Sequence, residues 1–208
     1  MKTKGCVPLR MPFAEFVKIE LRSGVLLITC GLPGTWKTET SQEISKIKRI
    51  PILRTDLIRL EILKNEDIFD EKVEANLSKR EVVYNEMFRQ AGYLVQKSKG
   101  VILDATFVTQ ELRRRAAAIA AKNNMTFVIL QTHCSEEASI ARIFRRTKEN
   151  YESNALNRQA YLNNKKRFEL VDLNDLKKRF PQLKIMRLTV DTEKDHPDKW
   201  YMIGMEKK

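Results

Sequence analysis

Cysteine and histidine are scarce in this 208-residue chain, three of the first and two of the second. Cys6, Cys30 and Cys134 are widely spaced and form no Cys-x-x-Cys pair. That excludes a disulfide framework and predicts reduced thiols in a cytoplasmic protein. His133 and His196 are too few for a histidine-based metal centre. Seven glycines and six prolines exclude collagen-like and linker-dominated architectures. No apolar run comes near the roughly 20 residues that cross a bilayer; the longest near the start is Val25 to Ile28. The basic start, Lys2 and Lys4, is followed by Gly5, Pro8 and Pro12 instead of an apolar segment, so no secretory signal is expected.

Acidic residues are also in the minority, 27 against 39 Lys and Arg, for a formal charge of +12. Between Arg142 and Arg187 stand 13 basic and 5 acidic residues, a net +8 of that total. Such a balance favours anionic partners: nucleotides, phosphorylated metabolites or nucleic acid. A solvated helical face accounts for part of it. With 42% hydrophobic and 32% charged residues the chain can bury a sizeable core. One domain over 1–208 is expected, the first 22 residues forming an N-terminal extension.

Apolar runs alternate with helix-period stretches. Val25 to Cys30 reads as a buried strand ended by Gly31, and Lys37 to Lys48 as a helix. Pro51 to Thr55 reads as a short strand, and Glu71 to Ser98 as a long helix with Val83, Met87, Ala91 and Leu94 on one stripe. Val101 to Asp104 is a third strand and the alanine-rich stretch Gln110 to Asn124 a helix. Thr126 to Thr132, Glu136 to Arg146 and Lys184 to Val190 complete the series as strand, helix and strand. Strands alternating with helices predict a parallel sheet covered on both faces. Arg113, Arg114 and Arg115 are expected to solvate the start of the alanine-rich helix, contact with substrate being the alternative.

Gly31-Leu32-Pro33-Gly34-Thr35-Trp36-Lys37-Thr38 follows a strand and opens a helix. The phosphate-binding pattern is G-x-x-x-x-G-K-[ST], in which Lys reaches the β- and γ-phosphates and a hydroxyl holds Mg²⁺. Backbone N–H groups of Gly31, Gly34, Thr35 and their neighbours would form the anion nest. Trp36 departs from the pattern, which asks for glycine. A left-handed backbone at a residue with a side chain costs roughly 1–2 kcal/mol. The loop is nevertheless expected to keep its shape, with the Trp36 indole swung outward, partly exposed at the rim of the cleft.

Asp56 and Arg59 are three residues apart at a helix start and so share a face. The carboxylate there can accept the proton of an attacking hydroxyl while Arg59 grips an anionic group of the acceptor. The alternative for Asp56 is a helix N-cap. Asp104 ends an apolar run at the C-terminal edge of a strand, where such sheets place ligands. It is a candidate to assist the metal that Thr38 holds, unless it is a plain turn residue. Thr106 lies close enough in sequence to reach a phosphate.

Gly31-Leu32-Pro33-Gly34, Asp56-Leu57-Ile58-Arg59 and Leu103-Asp104-Ala105-Thr106-Phe107 resemble the P-loop kinases that include the phage polynucleotide 5′-hydroxyl kinase, zeta toxins and the kinase of seryl-tRNA. The resemblance covers about Val25 to Val171. It implies a three-layer α/β/α P-loop NTPase fold, a five-stranded parallel sheet of order 2-3-1-4-5 with a helical lid over about 142–171. It also implies ATP and Mg²⁺ as cofactors, Asp56 as base, and Arg142 and Arg146 as lid arginines closing over the transferred phosphoryl group beside Lys37. A basic surface helix is the alternative for the arginines. The expected activity is transfer of the γ-phosphoryl group to a hydroxyl, either on an RNA or DNA 5′ end or on a small metabolite. A nucleotide-binding regulatory or toxin-like protein with weakened catalysis is the remaining alternative, supported by Trp36. Neither a membrane partner nor a particular oligomeric state is implied.

Overall fold

The computed structural model describes residues 7–64, 76–145 and 157–208. The elements run β1 (Val7–Pro12), α1 (Phe13–Glu20), β2 (Val25–Cys30), α2 (Lys37–Lys48), β3 (Ile52–Arg54) and α3 (Thr55–Ile62). They continue α4 (Leu77–Leu94), β4 (Gly100–Asp104), α5 (Gln110–Lys122), β5 (Thr126–His133) and α6 (Glu136–Phe144). The chain ends with α7 (Arg158–Arg167), α8 (Leu173–Arg179), β6 (Ile185–Asp191), a 3-10 turn (Pro197–Lys199) and β7 (Tyr201–Lys207). Residues 71–75 of the long helix expected from Glu71 lie outside the described residues; from Leu77 it is present, capped by the Asn76 side chain on the Lys79 amide.

Among the described residues one sheet of seven strands runs in the order β1-β7-β6-β5-β2-β4-β3. β3, β4, β2, β5 and β6 are parallel neighbours, while β6, β7 and β1 pair antiparallel. The five-stranded parallel sheet expected from sequence is therefore corrected to a seven-stranded mixed one. The two extra strands come from the chain's ends. Pro8 and Pro12 read locally as loop, yet β1 is an edge strand with an irregularity between Pro8 and Met11, a setting that tolerates residues lacking an N–H. β7 alternates exposed Tyr201 and Ile203 with buried Met202 and Gly204, an alternation the sequence hides because the exposed positions are apolar as well.

Successive side chains of the central strands feed opposite faces. Leu26, Ile28 and Cys30 of β2 join Val101, Leu103, Phe127 and Ile129 in a core with α4, α5 and α8. Val25 and Leu27 join Ile102, Val128 and Leu130 in a second core with Phe13 and Phe16 of α1, Ile44 of α2 and Trp200. Residues read as an extension thus supply Phe13, packed edge-on to Trp200 at 5.9 Å. Burial on both faces explains why β2 is buried at every position and reads as an apolar run broken only at Thr29.

One basic residue expected at the surface is deep inside. Arg113 is fully buried and donates to the carbonyls of Phe107, Val108, Glu169 and Leu170. It fastens the chain after α7 to the turn after β4, with the Phe168 ring 5.3 Å from its guanidinium carbon. Arg114 pairs with Asp175 at 2.8 Å, and Arg115 lies over the Phe88 ring.

Candidate active site

The loop after β2 meets the ends of β3, β4 and β5 at the C-terminal edge of the parallel strands. Two glycines shape it by close approach. A Cβ on Gly31 would stand 2.4 Å from the Thr132 hydroxyl, and one on Gly34 2.4 Å from the Ser139 carbonyl oxygen. Gly34 also has φ of +80°. Thr35 turns its hydroxyl into the scaffold, 2.8 Å from the Leu32 carbonyl and 2.6 Å from the Thr132 hydroxyl. The Thr35 carbonyl is held as well, by the Thr192 hydroxyl at 3.0 Å.

Trp36 has φ 57° and ψ 35°, the left-handed region, and α2 starts at Lys37 with no side-chain cap. The backbone thus keeps the conformation that glycine would have made easy, against about 1–2 kcal/mol of strain. The indole does not swing out over the cleft. It is half-buried against the core formed by Phe13, Ile44 and Leu130. Arg142 lies across the ring at 4.9 Å. The outward expectation considered only the phosphate side and the rim; apolar packing behind the loop offered a third place.

Lys37 bends its Nζ onto the Leu32 carbonyl at 2.7 Å, within the loop it would serve. Thr38 donates to Asp104 at 2.7 Å. The other Asp104 oxygen takes the Thr29 hydroxyl at 3.2 Å, and Arg54 lies 3.6 Å from the first. Asp104 is 5% exposed, so this is a buried carboxylate held by two hydroxyls and a guanidinium. It is no bare turn residue. Thr29 and Arg54 join the site beyond the residues expected from sequence; the one available signal was a threonine set between Ile28 and Cys30 in an otherwise apolar strand. Among the described residues no group of three or more His, Cys, Asp or Glu could hold a metal by itself. Two oxygen donors, Thr38 and Asp104, suit a hard cation that keeps waters and phosphate oxygens as its remaining ligands.

Asp56 is the second residue of α3, whose N-cap position is Arg54, so the capping alternative does not hold. β3 pairs with β4 in a register that sets Arg54 beside Asp104, and the Thr55 hydroxyl reaches the Asp104 carbonyl at 3.4 Å. Asp56 therefore enters at the same edge as the Thr38–Asp104 pair. Arg59 is 7% exposed, and its Nε and Nη1 are buried with no hydrogen-bond partner among the described residues. Burial raises the Tyr84 hydroxyl above its ordinary 10.0; a Thr106 hydrogen bond and the charges of Arg80 and Arg59 oppose it. Those two guanidiniums, Tyr84 and Thr106 accordingly share one neighbourhood. Beside it an open cavity of about 200 Å³ is bordered by Arg80, Arg115 and Arg167 and by Glu81 and Glu111.

Arg142 is 4% exposed and bonds Gly34, Cys134, Thr192, Glu193 and Asp195. Arg145 joins it on Asp195 at 2.8 Å. Those bonds, Arg145 first, draw the Asp195 carboxyl below its ordinary range. Arg146 lies outside the described residues. The structure thus gathers Gly31, Gly34, Thr35, Trp36, Lys37, Thr38 and Asp104 in one place. It sets Asp56 and Arg59 at the same edge and holds Arg142 behind the loop.

A family model described as an AAA domain matches residues 26–171, and the chain belongs to that family. Its fold is α/β and of the P-loop NTPase type. A gluconokinase from Sinorhizobium meliloti 1021 superposes with a TM-score of 0.55 at 14% identity, over 83% of this chain and 85% of that one. A sugar kinase from Janibacter sp. HTCC2649 gives 0.58 at 11% identity, over 86% and 90%. Kti12 from Chaetomium thermophilum, solved with ADP-AlF3, gives 0.52 at 19% identity, over 71% and 81%. At such identities the likeness is one of fold. No curated protein matches the sequence.

Proposed function

We propose that the protein is an ATP-dependent kinase that transfers the γ-phosphoryl group to a hydroxyl acceptor. The observation that carries this reading is the Thr38 hydroxyl 2.7 Å from buried Asp104, directly after Lys37 at the start of α2. That pair would hold Mg²⁺, which supplies positive charge to the phosphate oxygens and orients them. Lys37 exchanges the Leu32 carbonyl for the β- and γ-phosphates, and the loop amides cradle the β-phosphate. The acceptor oxygen bonds to the γ-phosphorus as the bond to the β–γ bridging oxygen breaks. Asp56 takes the acceptor's proton, and ADP leaves. Arg59, buried with two groups unpartnered among the described residues, gains its acceptors from an anionic part of the substrate.

The chain's formal charge of +12 supports a nucleic-acid 5′ end as that anionic acceptor, and around the cavity Arg80, Arg115 and Arg167 outnumber Glu81 and Glu111. The sugar kinases of like fold favour the second reading, a small metabolite. Transfer from γ-labelled ATP to a 5′-hydroxyl oligonucleotide and to a panel of sugars, repeated across salt concentrations, separates the two. A nucleic-acid acceptor loses affinity steeply with salt. Lys37→Ala is expected to abolish transfer and weaken Mg·ATP binding while leaving the fold intact. Unchanged nucleotide affinity in that variant overturns the reading.

A further inference from the structure

Position 36 needs no side chain for phosphate binding, yet it carries the largest one available in a left-handed conformation. The residue that accounts for it is 106 positions away. The Arg142 guanidinium carbon lies 4.9 Å from the Trp36 ring centroid, and the Arg142 side chain is 2% exposed. All five of its N–H groups are used. Nε donates to Asp195 at 2.9 Å; Nη1 donates to the Gly34 carbonyl at 3.1 Å and to the Cys134 sulfur at 3.3 Å. Nη2 donates to the carbonyls of Thr192 at 2.8 Å and Glu193 at 2.9 Å. Thr192 braces the same loop again, its hydroxyl donating to the Thr35 carbonyl at 3.0 Å.

We infer that Arg142 is a positioning residue that clamps the phosphate loop from behind by stacking on Trp36 and holding the Gly34 carbonyl, a role that rests on reading residues 31–38 as a nucleotide site. A carbonyl bonded to Arg142 is not free to turn toward an anion and repel it. A ring sandwiched between a guanidinium and an apolar core cannot drift into the cleft. The clamp thus substitutes packing for the conformational ease of glycine. It also ties the loop to α6 and to the segment after β6, so that both move with it. An arginine with every donor committed cannot close over the γ-phosphate without breaking five hydrogen bonds, which separates this role from the lid role expected from sequence. Lysine keeps the charge but lacks the planar fork and the stacking face.

The chain has two tryptophans, so protein labelled with 5-fluorotryptophan gives two fluorine resonances, and Trp36→Gly identifies the one from Trp36. Arg142→Lys is expected to shift and broaden that resonance and leave the Trp200 signal in place. It is also expected to weaken Mg·ADP binding, measured by calorimetry, about tenfold in the wild-type background and less than about threefold in Trp36→Gly, the signature of coupled residues. A Trp36 resonance unmoved by Arg142→Lys, or equal losses in the two backgrounds, overturns the clamp. Should Arg142→Lys not fold, Asp195→Asn loosens the same guanidinium from its half-exposed side, and again an unmoved Trp36 resonance is refutation. If Lys37→Ala binds Mg·ADP as tightly as wild type, the nucleotide reading fails, while the fluorine signal still decides the clamp.

Discussion

Adding one methyl group at Gly34 tests how tightly the loop is built. Its φ of +80° is a conformation that L side chains rarely adopt, and the new Cβ would lie 2.4 Å from the Ser139 carbonyl oxygen and 3.0 Å from that residue's C and Cα. All three atoms are backbone of α6, so no rotamer change relieves the contact. The left-handed conformation costs about 1–2 kcal/mol. Forcing a buried group into a filled space adds about 1–3 kcal/mol. A loss near 3 kcal/mol in a domain of this size lowers Tm by roughly 6–12 °C. The same shift displaces the Gly34 carbonyl from Arg142 and should weaken Mg·ATP binding. Gly92→Ala is the control: it lies in α4 with nothing within 4 Å of its Cβ position, and it should raise stability by up to about 1 kcal/mol. Calorimetric unfolding of both variants decides the matter. A Gly34→Ala protein with wild-type Tm would refute a loop packed hard against α6.

Asp56→Asn should keep Mg·ATP affinity and lower turnover by roughly 10²–10⁴, measured with whichever acceptor the labelled-ATP screen reveals; wild-type turnover would remove the base role. Acid stability should depend on Asp175. Arg114 and then Gln110 hold its carboxyl at about 2 against an ordinary 3.8. A folded value below the unfolded one means stability that is complete above the ordinary value and lost as pH falls toward 2. Asp175→Asn should therefore flatten the stability profile between pH 4 and pH 2 in urea titrations; an unchanged acid limb would show that the Arg114 pair contributes nothing.

The sequence by itself determined the parts of this protein whose signals are local. Val25–Cys30, Val101–Asp104 and Thr126–His133 are dense in aliphatic residues because both faces of their strands are covered, and that density is visible without coordinates. The loop Gly31–Thr38 was legible because glycine, lysine and a hydroxyl must stand at set spacings to wrap a phosphate. Asp104 could be marked from its place at a strand end. Contacts between distant parts of the chain emerge with the folded arrangement alone. Edge strand β1 and its neighbour β7 pair from opposite ends of the sequence, and no local pattern announces a partner nearly 200 residues away. Arg113 looked like one of three solvated arginines until four carbonyls, two of them more than fifty positions along, closed around it. Along the sequence Trp36 is a departure from a motif and Arg142 a lid or surface-helix arginine, with nothing local to join them. Their contact depends on β2 and β5 lying side by side, which brings α6 behind the loop. A guanidinium's role follows from the acceptors that surround it, and spacing along a chain does not contain them.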